Sequence, residues 1–304
     1  MGTNLIVTSS PHARSGETIG SVMFDVILAL VPAALASVYF YSSGAVMLMT
    51  VCILGCCSAE YVSRRMMGRK ATLTDLSAVL TGLLLAFCLP PSLPLWMAAA
   101  GSIFAVTIGK QVFGGLGHNP FNPALIGRAF MQISWPKEMT AWTAPFDGTT
   151  CATPLSITKM GLEGNVPGLQ ALFLGDFGGC LGETSKLLLI IGGLYLIYRG
   201  HIRPAIPVSY LLTVVVLALL FRVDVLFHLL AGGLILGAFF MATDPVTSPV
   251  SFKGKVIFGA GCGLFTMLIR MVGGFPEGVC YSILIMNMLT PLIDRVTRIR
   301  KFGV

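Results

Sequence analysis

Charged residues stranded in apolar sequence are the first places where this chain has chemistry to explain. Asp25, Glu60, Asp75, Arg128 and Asp294 fall within or at the edges of stretches built mainly from Leu, Val, Ala, Ile and Phe. Near the centre of a bilayer each would cost at least about 2.5–3.5 kcal/mol on insertion scales, so each needs a partner or a water-filled path. Glu60, Asp75 and Asp294 stand at stretch ends beside basic residues, where an interfacial position meets that need. Asp25, one turn inside the first stretch, and Arg128, inside the fifth, have no such exit. Two readings stand open for both: an ion or cofactor role, and structural pairing. Two polar runs also interrupt the apolar pattern, Gly114 to Pro123 and Thr243 to Pro249. Glycine and proline there break helices, and the released backbone groups, with the Asn119 and Asn122 side chains, call for neighbours, a cofactor or ions. The first run is like a phosphate-cradling loop but lacks the Gly-Lys-Ser/Thr of one. A third polar stretch, Asp147-Gly148-Thr149-Thr150-Cys151-Ala152-Thr153-Pro154-Leu155, sits in the only long connection, about Pro136 to Gly182. Connections of that length are functional or disordered.

Other chemistries are excluded. His12, His118, His201 and His228 are scattered over unrelated segments, and no His-x-x-x-His or nucleophile elbow occurs. The 8 cysteines form no Cys-x-x-Cys, so no zinc or iron–sulfur site built by this chain alone is expected. Cys52 and Cys56 share a helix face, as packing residues or as contributors to a subunit interface. Cys151 and Cys180 are the pair that falls in the long connection, where a disulfide is possible.

The elements that must position these residues are membrane helices. Of 304 residues 55% are hydrophobic and 11% charged, and the mean hydropathy is +0.85, which no soluble globular balance matches. The apolar stretches suit a hydrocarbon core of roughly 30 Å. They read as ten spans, about 22–41, 44–59, 73–89, 95–109, 123–135, 184–198, 205–221, 225–241, 256–272 and 278–293. The lead before Val22 lacks a signal-peptide pattern, so the first stretch reads as a span. The net charge of +7 fits basic inward loops rather than nucleic-acid binding. With both termini in the cytoplasm, fourteen of the 20 Lys and Arg face inward and the long connection faces outward. A weak repeat pairs Gly82 to Pro90 with Gly233 to Pro245, five spans apart. That offset inverts topology and suits a site between broken helices, although two ordinary proline-ended helices would read the same way.

The stretch from Asp147 to Leu155 resembles the flavinylation motif Asp-x-x-Ser/Thr-Gly-Ala-Thr, followed by Pro-Leu, of the RnfD/NqrB family. RnfD belongs to the ion-translocating ferredoxin:NAD oxidoreductase and NqrB to the sodium-pumping NADH:quinone reductase. Asp147, Thr150, Ala152, Thr153 and Pro154 match the motif, and Cys151 stands where it has Gly. Ser10-Pro11-His12, Gly117-x-Asn119-Pro120-Phe121-Asn122-Pro123-Ala124, Met241 to Thr247 and Asn287-x-x-x-Pro291-Leu292-Ile293-Asp294 are similar to further family signatures in the family order. The resemblance implies FMN esterified through its phosphate to the Thr153 hydroxyl, and a second, non-covalent flavin, riboflavin. It implies an all-α polytopic fold of two inverted five-helix repeats, like urea transporters, with repeat one over about 20–135 and repeat two over about 183–294. The function implied is electron transfer coupled to sodium or proton translocation in a prokaryotic plasma membrane. Ferredoxin and NAD would be met only through partners, among them iron–sulfur subunits and a second FMN-bearing subunit. The lack of an N-terminal extension tilts the likeness toward RnfD; an NqrB-like subunit and a flavin-free solute channel are the alternatives.

Overall fold

The computed structural model describes residues 17–69, 73–161 and 167–298; Ser10, Pro11 and His12, named above, lie outside them. Apolar segments dictate helices because a backbone in lipid must satisfy its own hydrogen bonds. Helix α1 (Ile19–Met66, 48 residues) is opened by a capping box between Thr18 and Ser21, and a single non-helical residue, Ser42 (φ 51°, ψ −133°), divides it. The two expected spans are therefore joined by a kink rather than a loop, and the second extends to Met66, taking Arg64 and Arg65 into the helix.

Helix α2 (Ser77–Phe87) is only 11 residues long. At about 1.5 Å per residue it crosses roughly half a bilayer. Asp75 fixes its start by accepting from the Ser77 N–H at 2.9 Å and the Ser77 hydroxyl at 2.6 Å. Pro90, Pro91 and Pro94 turn the chain into α3 (Leu95–Val106), whose end widens into a π turn over Thr107–Gln111. Helix α4 (Pro123–Ser134) begins at Asn122, whose carboxamide oxygen caps the Ala124 and Leu125 N–H groups at 3.0 and 3.4 Å.

In the second half, α8 (Lys186–Tyr198) and α9 (Ala205–Leu220) are continuous. The span expected over 225–241 is broken: α10 (Val225–Leu230) stops, Gly232 takes φ +71°, and α11 (Leu234–Leu236) runs into a second π turn, Gly237–Met241. Helices α12 (Phe252–Met271) and α13 (Val279–Val296) complete the described bundle, and with α1 they are long and apolar enough to cross a membrane. The Asn122 amide donates to the Met241 carbonyl at 3.3 Å, so the start of α4 is tied to the end of the second π turn.

Exposed and buried residues are arranged for lipid. Leu187, Ile191, Leu194 and Tyr198 line the outside of α8 and Leu212, Val216 and Leu219 that of α9, while Arg270, Lys110 and Lys186 are buried. Small residues let helices approach closely: Gly192 faces the Ala29 carbonyl, and Gly259 and Gly263 face α9.

The long connection is not a structureless loop. It holds α5 (Pro136–Met139), an antiparallel pair of β1 (Trp142–Thr143) with β2 (Thr150–Cys151), α6 (Pro154–Met160) and α7 (Leu169–Leu174). Hydrogen bonds from Phe146 N–H to the Phe40 carbonyl (3.1 Å), from Leu181 N–H to the Leu89 carbonyl (3.2 Å) and from the Ser92 hydroxyl to the Ala141 carbonyl (2.9 Å) strap it onto the bundle end nearest the Ser42 kink.

Candidate functional site

Thr153 lies two residues beyond β2 and caps α6. Its φ of −69° and ψ of 154° are the extended values of an N-cap. The hydroxyl accepts from the Ser156 N–H at 3.2 Å and lies 2.7 Å from the Ser156 hydroxyl. Pro154 suits the first helical turn because it lacks an N–H to satisfy. Helix α6 is fastened to the bundle by Lys159, whose ammonium donates to the Ile269 carbonyl at 2.8 Å and the Phe275 carbonyl at 2.9 Å, at the end of α12. Burial lowers the Lys159 pKa.

Thr153 lies in the wall of a cavity of about 480 Å³, between the loop elements and the ends of α4 and α13. That volume falls within the range of cofactor pockets, about 300–1,000 Å³. Thr150, Cys151, Ala152 and Pro154 line it with Thr153, and so does Arg128. Of the motif residues, Asp147 does not; it sits exposed on the turn between β1 and β2. The Cys151 thiol occupies the space a side chain on Gly178 would fill, so the missing β-carbon there is what accommodates it. Burial raises the Cys151 thiol above its ordinary value.

Beneath this wall is a charged floor that the spacing of residues in the sequence does not assemble. Arg128, 7% exposed, is ion-paired with Glu277, whose other carboxylate oxygen accepts from the Gly233 N–H at 2.9 Å. Burial works against a charged Glu277, but Arg128 with the Gly233 N–H and Arg270 holds its carboxyl below the usual range. Glu183, 4% exposed, accepts from the Cys180 thiol at 2.8 Å. Each of the three guanidinium nitrogens of Arg270 donates to a carbonyl, of Glu277 at 3.0 Å, His228 at 2.6 Å and Ala231 at 2.9 Å, all at the α10–α11 break or beside α13. Lys186 donates to the Glu183 carbonyl at 2.8 Å. The available signal for Glu277 was an acidic residue in a Phe-Pro-Glu-Gly break; for Glu183, an acidic residue immediately before a span. The Tyr281 hydroxyl, another cavity-lining group, is buried with no hydrogen-bond partner among the described residues.

The other candidates lie elsewhere. Asp25 is near the opposite end of the bundle, bonded to Arg199 at 2.8 and 3.0 Å, His201 at 2.6 Å and Tyr195 at 3.3 Å. That partner set favours structural pairing. Glu60, expected at an interface, is fully buried, and Lys110 compensates it at 2.7 Å. Cys52 and Cys56 are 0% exposed, which makes them packing residues of this chain, and Cys151 and Cys180 are free thiols. A second cavity, of about 90 Å³, is bordered by Asn119, Asn122, Asp244, Lys110 and His201 at the end away from Thr153.

A bundle of broken and kinked helices with an apolar exterior, with a helix-capping threonine in the wall of a charged cavity, defines a multi-pass membrane protein. The chain belongs to the NQR2, RnfD, RnfE family, whose model matches residues 6–303. It is 49% identical over 305 residues to the D subunit of the Na(+)-translocating ferredoxin:NAD(+) oxidoreductase complex of Acetobacterium woodii, covering 99% of this chain and 96% of that one. It is 46% identical over 318 residues to the D subunit of the proton-translocating ferredoxin:NAD(+) oxidoreductase complex of Clostridium ljungdahlii, covering 98% and 96%. To the D subunit of the ion-translocating oxidoreductase complex of Cronobacter sakazakii it is 38% identical over 344 residues, covering 98% of each.

Proposed function

We propose that the chain is the membrane subunit of an ion-translocating ferredoxin:NAD oxidoreductase and carries FMN esterified to Thr153. The observation that carries this reading is the position of the Thr153 hydroxyl, in the wall of a cavity of about 480 Å³ whose lining includes Arg128 and the Tyr281 hydroxyl, which is unpartnered among the described residues. A bound flavin would supply one-electron chemistry. The chain's own residues hold the acceptor hydroxyl on a capped helix, keep α6 against α12 through Lys159, and place a cation and two carboxyls under the ring-sized space. An electron reaches the site from a partner, since the described residues offer no iron–sulfur ligand set and no nucleotide fold. Riboflavin is the second carrier of the same reading. The cavity of about 90 Å³ at the far end would have to widen to admit it.

The reading extends to a plasma membrane setting with cytoplasmic termini, an outward Thr153 and two inverted halves. The broken segments α2 and α10–α11 support the repeat, and the Lys and Arg distribution supports the orientation. Arg128 acts at the flavin cavity, and Asp25 is the remaining ion-path candidate.

The test is in-gel fluorescence of the denatured protein after co-expression with its flavin transferase. The wild-type band fluoresces and the Thr153→Ala band is dark. A dark wild-type band returns the molecule to the channel class, which needs no acceptor threonine.

A further inference from the structure

The cavity floor contains two carboxyls where one would pair with Arg128. The Cys180 sulfur and one carboxylate oxygen each from Glu183 and Glu277 lie within 4.8 Å of one another. Arg128 already neutralises Glu277. Lys186 and Arg270 add two more buried cations, so the group has no need of a metal ion for charge balance. The remaining question is the charge state of Glu183. Two carboxylates this close in a low-dielectric site do not both ionise freely; they titrate as a unit, and a nearby charge of either sign moves the proton.

We infer that Glu183 is a redox-linked proton site: an electron entering the cavity is matched by one proton bound to the Glu183 carboxylate. The inference rests on the flavin reading of the cavity. In the step, a partner's one-electron carrier is oxidised and the cavity cofactor is reduced. The Glu183 carboxylate gains an O–H bond as a hydronium ion of the solvent at the cavity mouth loses one and becomes water. The electron and the proton enter together, so the net charge of the floor plus cofactor is unchanged. The driving force is Coulombic. A new negative charge disfavours a neighbouring carboxylate and favours its neutral acid, while Glu277 is fixed as an anion by Arg128 and cannot take that part.

The surroundings raise the proton affinity of this carboxyl above that of a solvated one. Burial first and the Glu277 charge second raise the Glu183 carboxyl above its ordinary range, while Lys186, the Cys180 thiol and Arg128 pull it down. The titratable or charged groups facing it are Tyr41 from α1, Cys88 beyond α2, Arg128 from α4, Cys180 from the connection, Lys186 from α8, Arg270 from α12 and Glu277 from the α12–α13 turn. Burial and Glu183 also raise the Cys180 thiol, so the thiol stays protonated as the donor to Glu183.

The experiment uses the purified complex with its flavin attached, poised electrochemically, and compares wild type with Glu183→Gln and Glu183→Asp. Reduced-minus-oxidised infrared spectra of the wild type gain a protonated-carboxyl C=O band that shifts in D₂O; the band is absent in Glu183→Gln and returns in Glu183→Asp. The flavin midpoint potential falls with rising pH by a component of up to about 59 mV per pH unit, the one-electron equivalent of a tenfold change in proton activity. Glu183→Gln loses that component. A wild-type spectrum without a carboxyl change on reduction overturns the inference whether or not the variants assemble, as does a flavin-loaded Glu183→Gln with the wild-type band and slope. A complex with no flavin on this chain overturns the flavin reading instead.

Discussion

At the scale of single residues, Thr153 could be singled out from sequence because a motif is a local object: hydroxyl, spacing and following proline all lie within nine positions, and the structure adds its place in the cavity wall. What the spacing did not reveal was how Cys151 fits where the motif has Gly. The answer is Gly178, far along the chain, whose missing side chain leaves room for the thiol. Gly178→Val is therefore expected to displace β2 and cut flavin incorporation at Thr153 severalfold, read as band fluorescence per unit protein. Because burial raises the Cys151 thiol, less thiolate is present at a given pH. Its alkylation should lag that of a free cysteine at neutral pH and recover only in more alkaline solution, measured by thiol labelling and peptide mapping. Arg128 was legible as an isolated charge, but its partner was not, since Glu277 lies 149 positions away in sequence. Arg128→Gln leaves a buried carboxylate unpaired and should cost about 3–5 kcal/mol. The double variant with Glu277→Gln recovers part of that loss in thermal unfolding of the detergent-solubilised protein.

Elements were legible where they end for local reasons. Pro90, Pro91 and Pro94 close α2 and open α3, and Asn122 and Pro123 open α4. Apolar periodicity told little about how a span is divided, so 225–241 reads as one helix in sequence and is two in the structure. The kink at Ser42 and the two π turns depend on packing across the bundle and leave no local mark. Elements inside the long connection were also hidden, because strands of two residues and helices of four to seven are held by contacts with the bundle ends. Asn122 gives a test at this scale. It caps α4 and also bonds the Met241 carbonyl at 3.3 Å. Asn122→Ala should cost more than the roughly 1 kcal/mol of an ordinary cap, and Asn122→Asp, which keeps the cap but cannot donate to Met241, should fall between, by chemical denaturation.

For the whole molecule, the sequence carried the class through hydropathy and the family through ordered motifs. It did not carry the coupling ion. Relatives at 49% and 46% identity are named for sodium and for proton translocation respectively, so overall likeness does not discriminate between them. Asp25 is the ion-path candidate that depth alone suggested, and its bonds to Arg199, His201 and Tyr195 give it a structural task. Asp25→Asn is accordingly expected to lower assembly yield while the ion dependence of turnover per assembled complex stays as in wild type; a changed ion dependence would restore it to the path.

The proposed function depends on one ester bond. Trypsin cuts after Lys137 and Lys159, releasing a peptide from Glu138 to Lys159 that contains Thr153. Tandem mass spectrometry of that peptide, from protein co-expressed with its transferase, should find the mass of FMN less water on Thr153. An unmodified peptide, or FMN carried on Thr150 with Thr153 free, would contradict the account.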